Sequence, residues 1–288
     1  MKLSPRCLIP ALAALGLASP ALAAPGLWEV RDQDSVLWIF GSFHILPEGL
    51  EWRTELFDTI LADADKVVFE ADVGPQAMAA VGGAAFARGI YVDGTLLTDV
   101  IGDDLEVQLR DYAGEVGLQL GPILAMKPWM ATNTLSVAAL AAEGYNEQGV
   151  ELLLQPEIER DRLVFLETGK QQLDVLAGAP EEEQVAMLQS TLDEMHTLPK
   201  VMTKMLDHWS AGTADLLADM FLMEMGGFET AFMDRLIYDR NRNWIPPLEA
   251  MLEENQNNLV IVGAAHLVGD DSVLDLLEKA GYTVERVQ

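Results

Sequence analysis

Five apolar residues, Val36-Leu37-Trp38-Ile39-Phe40, run directly into Gly41-Ser42-Phe43-His44, and this pattern returns near the other end of the chain. There Leu259-Val260-Ile261-Val262 precedes Gly263-Ala264-Ala265-His266. The length of both runs and their β-branched or aromatic content are typical of buried strands. In an α/β sheet, ligands collect beyond the carboxyl ends of the strands, where glycine permits a sharp turn. The repeat therefore predicts one composite site that contains His44 and His266.

Two further predicted strands end in a glutamate. Glu70 follows Val67-Val68-Phe69, and Glu167 follows Leu163-Val164-Phe165-Leu166. A carboxylate in this position can also be the first solvated residue after a strand. Glu167 has a second alternative, because an acid at the start of the next helix suits the helix dipole. We therefore rank Glu70 above Glu167 as a candidate site residue.

The rest of the sequence predicts an α/β fold in which a mixed central sheet is flanked by helices and carries a helical cover. The first strand of the sheet is expected at Leu27-Trp28-Glu29-Val30, in a hairpin with Val36 to Phe40. Helices are expected over residues 53–64, 127–142 and 272–279, and a helical segment that Pro156 interrupts is expected over residues 149–160. A final strand at 282–287 should run parallel to the strand at 259–262, because the connection between them contains a helix.

A long methionine-rich helical stretch is expected over residues 181–255. Glycine and proline predict that it breaks near Gly212, at Gly226-Gly227 and at Pro246-Pro247. His196 and His208 lie in this stretch, and we expect both on the protein surface.

The first 23 residues have the features of a secretory signal peptide. Lys2 and Arg6 precede an apolar stretch from Leu8 to Leu22, and Ala21-Leu22-Ala23 offers a small-residue cleavage site. The stretch is too short and wrongly flanked for a stable membrane anchor. We therefore expect a periplasmic or secreted protein that is cleaved after Ala23. Since no Pro/Gly/Ser linker divides the remainder, we expect residues 24–288 to form a single domain.

Charge and cysteine content restrict the possible partners. The formal net charge is −28, and removal of Lys2 and Arg6 with the signal peptide changes it to −30. Such an acidic chain argues against nucleic acid or an anionic membrane as the partner. Cys7 is the single cysteine and lies in the expected signal peptide, so the mature fold must rely on its core rather than on disulfides. The sequence leaves the oligomeric state open.

The candidate site residues suit water activation. Imidazole nitrogen and carboxylate oxygen are ligands for zinc and similar divalent ions, so His44, Glu70 and His266 form a candidate metal site. Arg240 lies in Asp239-Arg240-Asn241-Arg242 and could stabilise an oxyanion or bind a substrate carboxylate. Taken by itself, the segment favours the alternative of a surface helix with Asp/Arg pairs.

The chain resembles the TraB/GumN family, which includes the animal TIKI proteins. The resemblance covers essentially the whole mature chain and rests on these segments: Gly41-Ser42-Phe43-His44 with Ile45-Leu46-Pro47, Glu70, Lys127-Pro128-Trp129, Gly149-Val150-Glu151, Leu166-Glu167-Thr168 with Gln172, Arg240-Asn241 and Gly263-Ala264-Ala265-His266. Family members commonly have Gly-Leu-Asp where this chain has Gly149-Val150-Glu151.

This resemblance implies a fold related to the erythromycin esterase group, with the two histidine motifs brought together. TIKI proteins are divalent-metal-dependent proteases, so it also implies hydrolysis of a peptide or another small substrate. We therefore expect an exported hydrolase in which His44, Glu70 and His266 hold Zn²⁺, Mn²⁺ or Co²⁺, or position the water directly. Arg240 would act as a catalytic residue. Asn241 and Glu167 would orient the residues that hold the metal or the water.

Two alternatives remain open from the sequence. In a metal-free enzyme, one histidine is the general base and Glu70 orients it. In an exported binding protein without catalytic activity, the same histidines hold a metal ion or haem, and the methionine-rich helices form an apolar wall. A haem protein would have a visible absorption band, which a hydrolase would lack.

Overall fold

The structure is a computed structural model that describes residues 24–146, 148–225 and 230–288. The expected signal peptide and the expected helix break at Gly226-Gly227 lie outside these ranges, so both stay predictions. In the part of the chain that is described, no helix is long and apolar enough to cross a membrane.

The first half of the chain supplies the hairpin of the sheet and much of the helical cover. Its elements are β1 (Leu27–Arg31), β2 (Val36–Ser42), β3 (Leu46–Pro47), α1 (Glu55–Asp63), β4 (Lys66–Phe69), α2 (Pro75–Gly89), α3 (Leu97–Ile101), α4 (Asp103–Glu115), α5 (Leu120–Leu124), α6 (Pro128–Ala142) and β5 (Tyr145–Asn146).

The second half of the chain completes the sheet and the helical cover. Its elements are α7 (Val150–Leu154), β6 (Leu163–Phe165), α8 (Gly169–Ala177), α9 (Glu181–Glu194), α10 (Leu198–Ser210), α11 (Ala214–Met225), α12 (Thr230–Met233), α13 (Asp239–Glu253), β7 (Asn258–Gly263), α14 (Val273–Ala280) and β8 (Thr283–Arg286). A π-helical turn at Asp234–Tyr238 joins α12 to α13, and a 3₁₀ turn at Ala264–Leu267 follows β7.

The main sheet is mixed, in the order β6-β4-β7-β2-β1-β8. The four strands from β6 to β2 are parallel, whereas β1 is antiparallel to both of its neighbours. This confirms the predicted α/β fold, and the expected hairpin and strand positions agree with it. β8 is parallel to β7, as predicted, but β2 and β1 lie between them.

The register of the parallel strands brings the two glycine-histidine motifs together. Ser42 at the end of β2 is paired with Gly263 at the end of β7, and Phe69 at the end of β4 is paired with Ile261. Because these strands run in the same direction and end at nearly the same level, the residues that follow them lie at one edge of the sheet.

Both faces of the sheet are buried, which explains the continuous apolar runs. On one face, Leu259 and Ile261 pack with Phe40 and Phe57. On the other, Val260 and Val262 pack with residues of α13 and α14 that include Trp244. Such alternation between the two faces is the geometry of a β-strand.

The predicted break at Pro246-Pro247 is wrong, because α13 continues through both residues. Proline removes the N–H groups that would bond to the carbonyls of Arg242 and Asn243. Arg242, Asn243 and Pro246 are exposed, so water can satisfy those carbonyls, while buried Trp244 and other apolar residues hold the opposite face. Burial of that face therefore outweighs the local proline cost.

The predicted break near Gly212 is confirmed, since α10 ends at Ser210 and α11 begins at Ala214. The structure adds a break between α9 and α10 that the sequence reading missed. Pro199 lies in the first turn of α10, a position where the absence of an N–H costs little.

Gly149 is expected to tolerate no side chain. A Cβ atom there would lie 2.1 Å from the backbone oxygen of His44, and the neighbouring Val150 N–H already donates to Phe43 O. We predict that Gly149→Ala lowers the free energy of unfolding by about 1–3 kcal/mol, because backbone must move. Urea unfolding measures this change.

The control is Gly82→Ala, because nothing lies within 4 Å of a Cβ atom at Gly82 and the residue is inside α2. This variant should raise the free energy of unfolding by about 0.4–1 kcal/mol. Equal effects of the two substitutions would contradict the close approach of Gly149 to the His44 backbone.

Candidate active site

The structure brings the six sequence-predicted site residues to one edge of the sheet. His44 follows β2, Glu70 follows β4, Glu167 follows β6, and His266 lies in the turn after β7. The remaining two, Arg240 and Asn241, are in the first turn of α13. Glu70 and His266 are buried, whereas 58% of the His44 side chain is exposed.

Arg240 contacts the other buried side chains of the site. Its Nη2 lies 2.5 Å from Glu70 Oε2, and its Nε donates to Glu167 Oε1 over 3.0 Å. Its Nη1 donates to Leu236 O over 3.0 Å and lies 3.1 Å from His266 Nε2. These contacts, with a further bond from Nη2 to Glu167, occupy all five N–H groups of the guanidinium. Arg240 is therefore a buried ion-pair residue rather than a surface one.

His266 is fixed as a neutral imidazole. Its Nδ1 lies 2.6 Å from Asn241 Oδ1, and its ring packs 4.4 Å from the ring of Trp244. An amide oxygen only accepts and a guanidinium only donates, so these partners assign the proton to Nδ1 and the lone pair to Nε2. Burial lowers the pKa of His266 to about 3, with Arg240 acting in the same direction.

Glu70 is ionised although it is buried. Burial on its own would raise the pKa of its carboxyl, but His266, Arg240 and His44 lower it to about 2. Since His266 is neutral at neutral pH, the permanent charge of Arg240 is the main stabilising partner. Gly263 N–H also donates to Glu70 Oε1 over 2.7 Å.

His44 is held from the other side by Glu151, a residue that the sequence reading did not assign to the site. His44 Nδ1 lies 3.1 Å from Glu151 Oε1, and the Ser42 hydroxyl donates to the same carboxylate. The Glu151 carboxylate raises the pKa of His44 to about 9. His44 is therefore mainly an imidazolium at neutral pH.

Two signals could have identified Glu151. It is the one charged residue of α7, whose sequence is Val-Glu-Leu-Leu-Leu, and a buried carboxylate among leucines requires a partner. It also lies in one of the segments that carry the family resemblance. Gln172, from another such segment, was missed too, and its Nε2 donates to Glu70 and Glu167 over 3.0 Å each.

Ser42 is hydrogen-bonded to Glu151 rather than to a histidine. Its hydroxyl group donates its hydrogen to Glu151, whereas a nucleophilic serine needs a hydrogen bond to the base itself.

His196 and His208 lie outside the site. His196 is exposed, as expected, and pairs with Glu115, whereas His208 is half-buried against Thr213.

The residue set does not fit a metal ion in this arrangement. Glu70 already accepts bonds from Gly263, Arg240 and Gln172, and His266 Nε2 faces Arg240. The guanidinium stands where a cation shared by Glu70 and His266 would lie, and like charges repel. Among the described residues, no three histidine or acidic side chains are placed to hold a metal together. Metal binding stays a prediction and would require Arg240 to move.

His44 borders two cavities. One, of about 310 Å³, is largely apolar and also contacts Arg240 and His266. The other, of about 220 Å³, is lined by Glu70, Glu151 and Gln172. His44 is therefore accessible from a largely apolar cavity on one side and from a cavity that contains two carboxylates on the other.

An α/β sheet with histidine, glutamate and arginine gathered beyond its strand ends defines a site suited to acid–base chemistry. The chain belongs to the TraB/PrgY/gumN family, whose model matches residues 26–286. Comparisons with curated proteins and with solved structures found no match.

The ion pair between His44 and Glu151 predicts a pH titration. The pKa of His44 should be about 9, and Glu151→Gln should lower it toward 6.5, the ordinary value, because the charge is removed. NMR of the imidazole signals measures both. Since the folded pKa exceeds the unfolded one, the pair stabilises the fold fully below pH 6.5, and this contribution is lost as the pH rises through about 9.

Glu157→Gln is the control for loss of one negative charge, because Glu157 pairs with Arg53 on the surface. It should leave the pKa of His44 unchanged. A wild-type pKa near 6.5 for His44 would contradict the ion pair.

Proposed function

We propose that this chain is an exported hydrolase in which His44 activates water for attack on an acyl carbon of a peptide or other small substrate. The arrangement around His44 carries the proposal. Glu151 holds His44 through Nδ1, and His44 Nε2 lies 4.0 Å from Glu70 Oε1. This separation is too long for a direct hydrogen bond and suits a water molecule that contacts both atoms.

The proposed reaction uses the neutral form of His44. Its Nε2 takes a proton from the water, and the hydroxide oxygen bonds to the substrate carbonyl carbon. The imidazolium then donates this proton to the leaving nitrogen as the carbon–nitrogen bond breaks. Glu151 stabilises the imidazolium, and Glu70 orients the water.

His266 and Arg240 position Glu70 in this scheme. Asn241 fixes the His266 ring, His266 Nε2 faces Arg240, and Arg240 pairs with Glu70. Direct stabilisation of an oxyanion by Arg240 stays a prediction, since its N–H groups are bonded within the protein. A divalent ion such as Zn²⁺, Mn²⁺ or Co²⁺ is a separate proposal, and no step above uses one.

Replacement of His44 is expected to abolish most of the activity. His44→Ala should lower kcat by about 10²–10⁴-fold, the usual loss when a general base is removed. Wild-type kcat/KM should fall as the pH drops below about 9, because protonation removes the base. A library of short peptides incubated with the mature chain and analysed by mass spectrometry gives the substrate for these rates.

His196→Ala is the matched control, because His196 is exposed and pairs with Glu115 rather than with a site residue. It should keep full activity, and circular dichroism should show that both variants are folded.

Turnover should persist with a chelator. Loss of turnover with a chelator would replace this mechanism with the metal-dependent one. Full activity in a folded His44→Ala/His266→Ala variant would overturn the hydrolase site. Absence of turnover together with a visible haem band would favour the binding protein.

A further inference from the structure

An apolar chamber lies beside His44. It is the cavity of about 310 Å³, a size at the lower end of those that hold small ligands. His44, Arg240 and His266 form part of its lining. The apolar part of the lining includes Met202, Met205, Leu217, Phe221, Leu236 and Ile237.

Apart from His44, the polar side chains of this chamber have few hydrogen bonds left for a ligand. Arg240 uses all five N–H groups on protein partners, and His266 is neutral with both ring nitrogens in contact. A charged or strongly polar group beyond the reach of His44 would lose its hydration without replacement, which is unfavourable. An apolar group would instead gain contact with methionine, leucine and phenylalanine side chains.

A second cavity lies beside the chamber. Met202, Met205 and Phe221 line both, and the second cavity measures about 290 Å³. These three side chains are half-buried, and methionine side chains adapt readily to different shapes. The shared wall can therefore adjust to a large occupant rather than only to a small one.

We propose that this chamber selects substrates with a bulky apolar side chain beside the scissile acyl bond. Met202, Met205 and Phe221 are then specificity-determining residues. The assignment rests on the proposed function, because it requires the scissile bond to lie at His44. It adds the chemical class of the group that the enzyme recognises.

A matched peptide series tests this specificity. The peptides are blocked at both ends and differ only at one central residue, which is Phe, Leu, Ala, Asp or Lys. Wild-type kcat/KM should be at least about tenfold higher for the Phe and Leu peptides than for the Ala peptide. Met202→Glu should lower the rate for Phe by about tenfold and raise it for Lys, since the chamber would gain a negative charge.

Met223→Glu is the control, because Met223 is 71% exposed and outside the chamber lining. It should leave the preference unchanged. A gain for the Lys peptide in Met202→Glu cannot arise from misfolding. Turnover without an apolar preference would overturn the chamber assignment and leave the hydrolase proposal intact.

A binding measurement is independent of turnover. In protein labelled at the methionine methyl groups, N-acetyl-phenylalaninamide should shift the NMR signals of Met202 and Met205 but not that of Met223. These shifts without any turnover would show that the chamber binds an apolar side chain, but they would remove the proposed reaction and with it the role of the chamber in substrate selection. Absence of shifts, equal shifts at Met223, or larger shifts with octanamide would overturn the assignment to a peptide side chain.

Discussion

The guanidinium of Arg240 compensates the two buried carboxylates of the site. Glu70 and Glu167 are 5% and 6% exposed, and each lies within hydrogen-bond distance of Arg240. Removing one partner from such a group leaves an uncompensated buried charge, which costs about 3–5 kcal/mol. The position of Arg240 in α13 therefore ties this helix to the ends of β4 and β6.

This charge arrangement gives the two histidines different protonation states. His266 is buried beside Arg240, and its pKa is about 3. His44 lies farther out beside Glu151, and its pKa is about 9. The two environments thus give two identical side chains very different pKa values. Such a difference is expected where residues of one type have different roles. In the proposed mechanism His44 takes up and releases the proton, whereas His266 helps to hold Arg240 and Glu70 in position.

Much of the fold could be predicted because its signals are local. The apolar runs ending at Phe40 and Val262 reflect strands buried on both faces. The glycines after them are the last or next-to-last residues of these strands and lie where neighbouring residues approach closely. The convergence of His44 and His266 also followed from the direction of parallel strands. These inferences needed only periodicity and residue type.

The remaining features depend on contacts between distant segments. The carboxylate of Glu151 reaches His44 across 107 positions, and helical periodicity gives no sign of that pairing. The role of Arg240 likewise depends on which carboxylates are buried beside it, and its neighbour Arg242 does form the expected surface pair with Asp239. At Pro246, burial of the opposite face of α13 outweighs the local tendency of proline to end a helix.

The coupling free energy between Arg240 and Glu70 measures how strongly the guanidinium stabilises the buried carboxylate. It is obtained from urea unfolding of wild type, Arg240→Met, Glu70→Gln and the double variant. We predict that the double variant is more stable than the sum of the single effects by about 2–3 kcal/mol, because Glu70→Gln removes one of the two carboxylates that Arg240→Met leaves without a cation. Additive effects within about 0.5 kcal/mol would contradict charge compensation by Arg240 as the basis of the site.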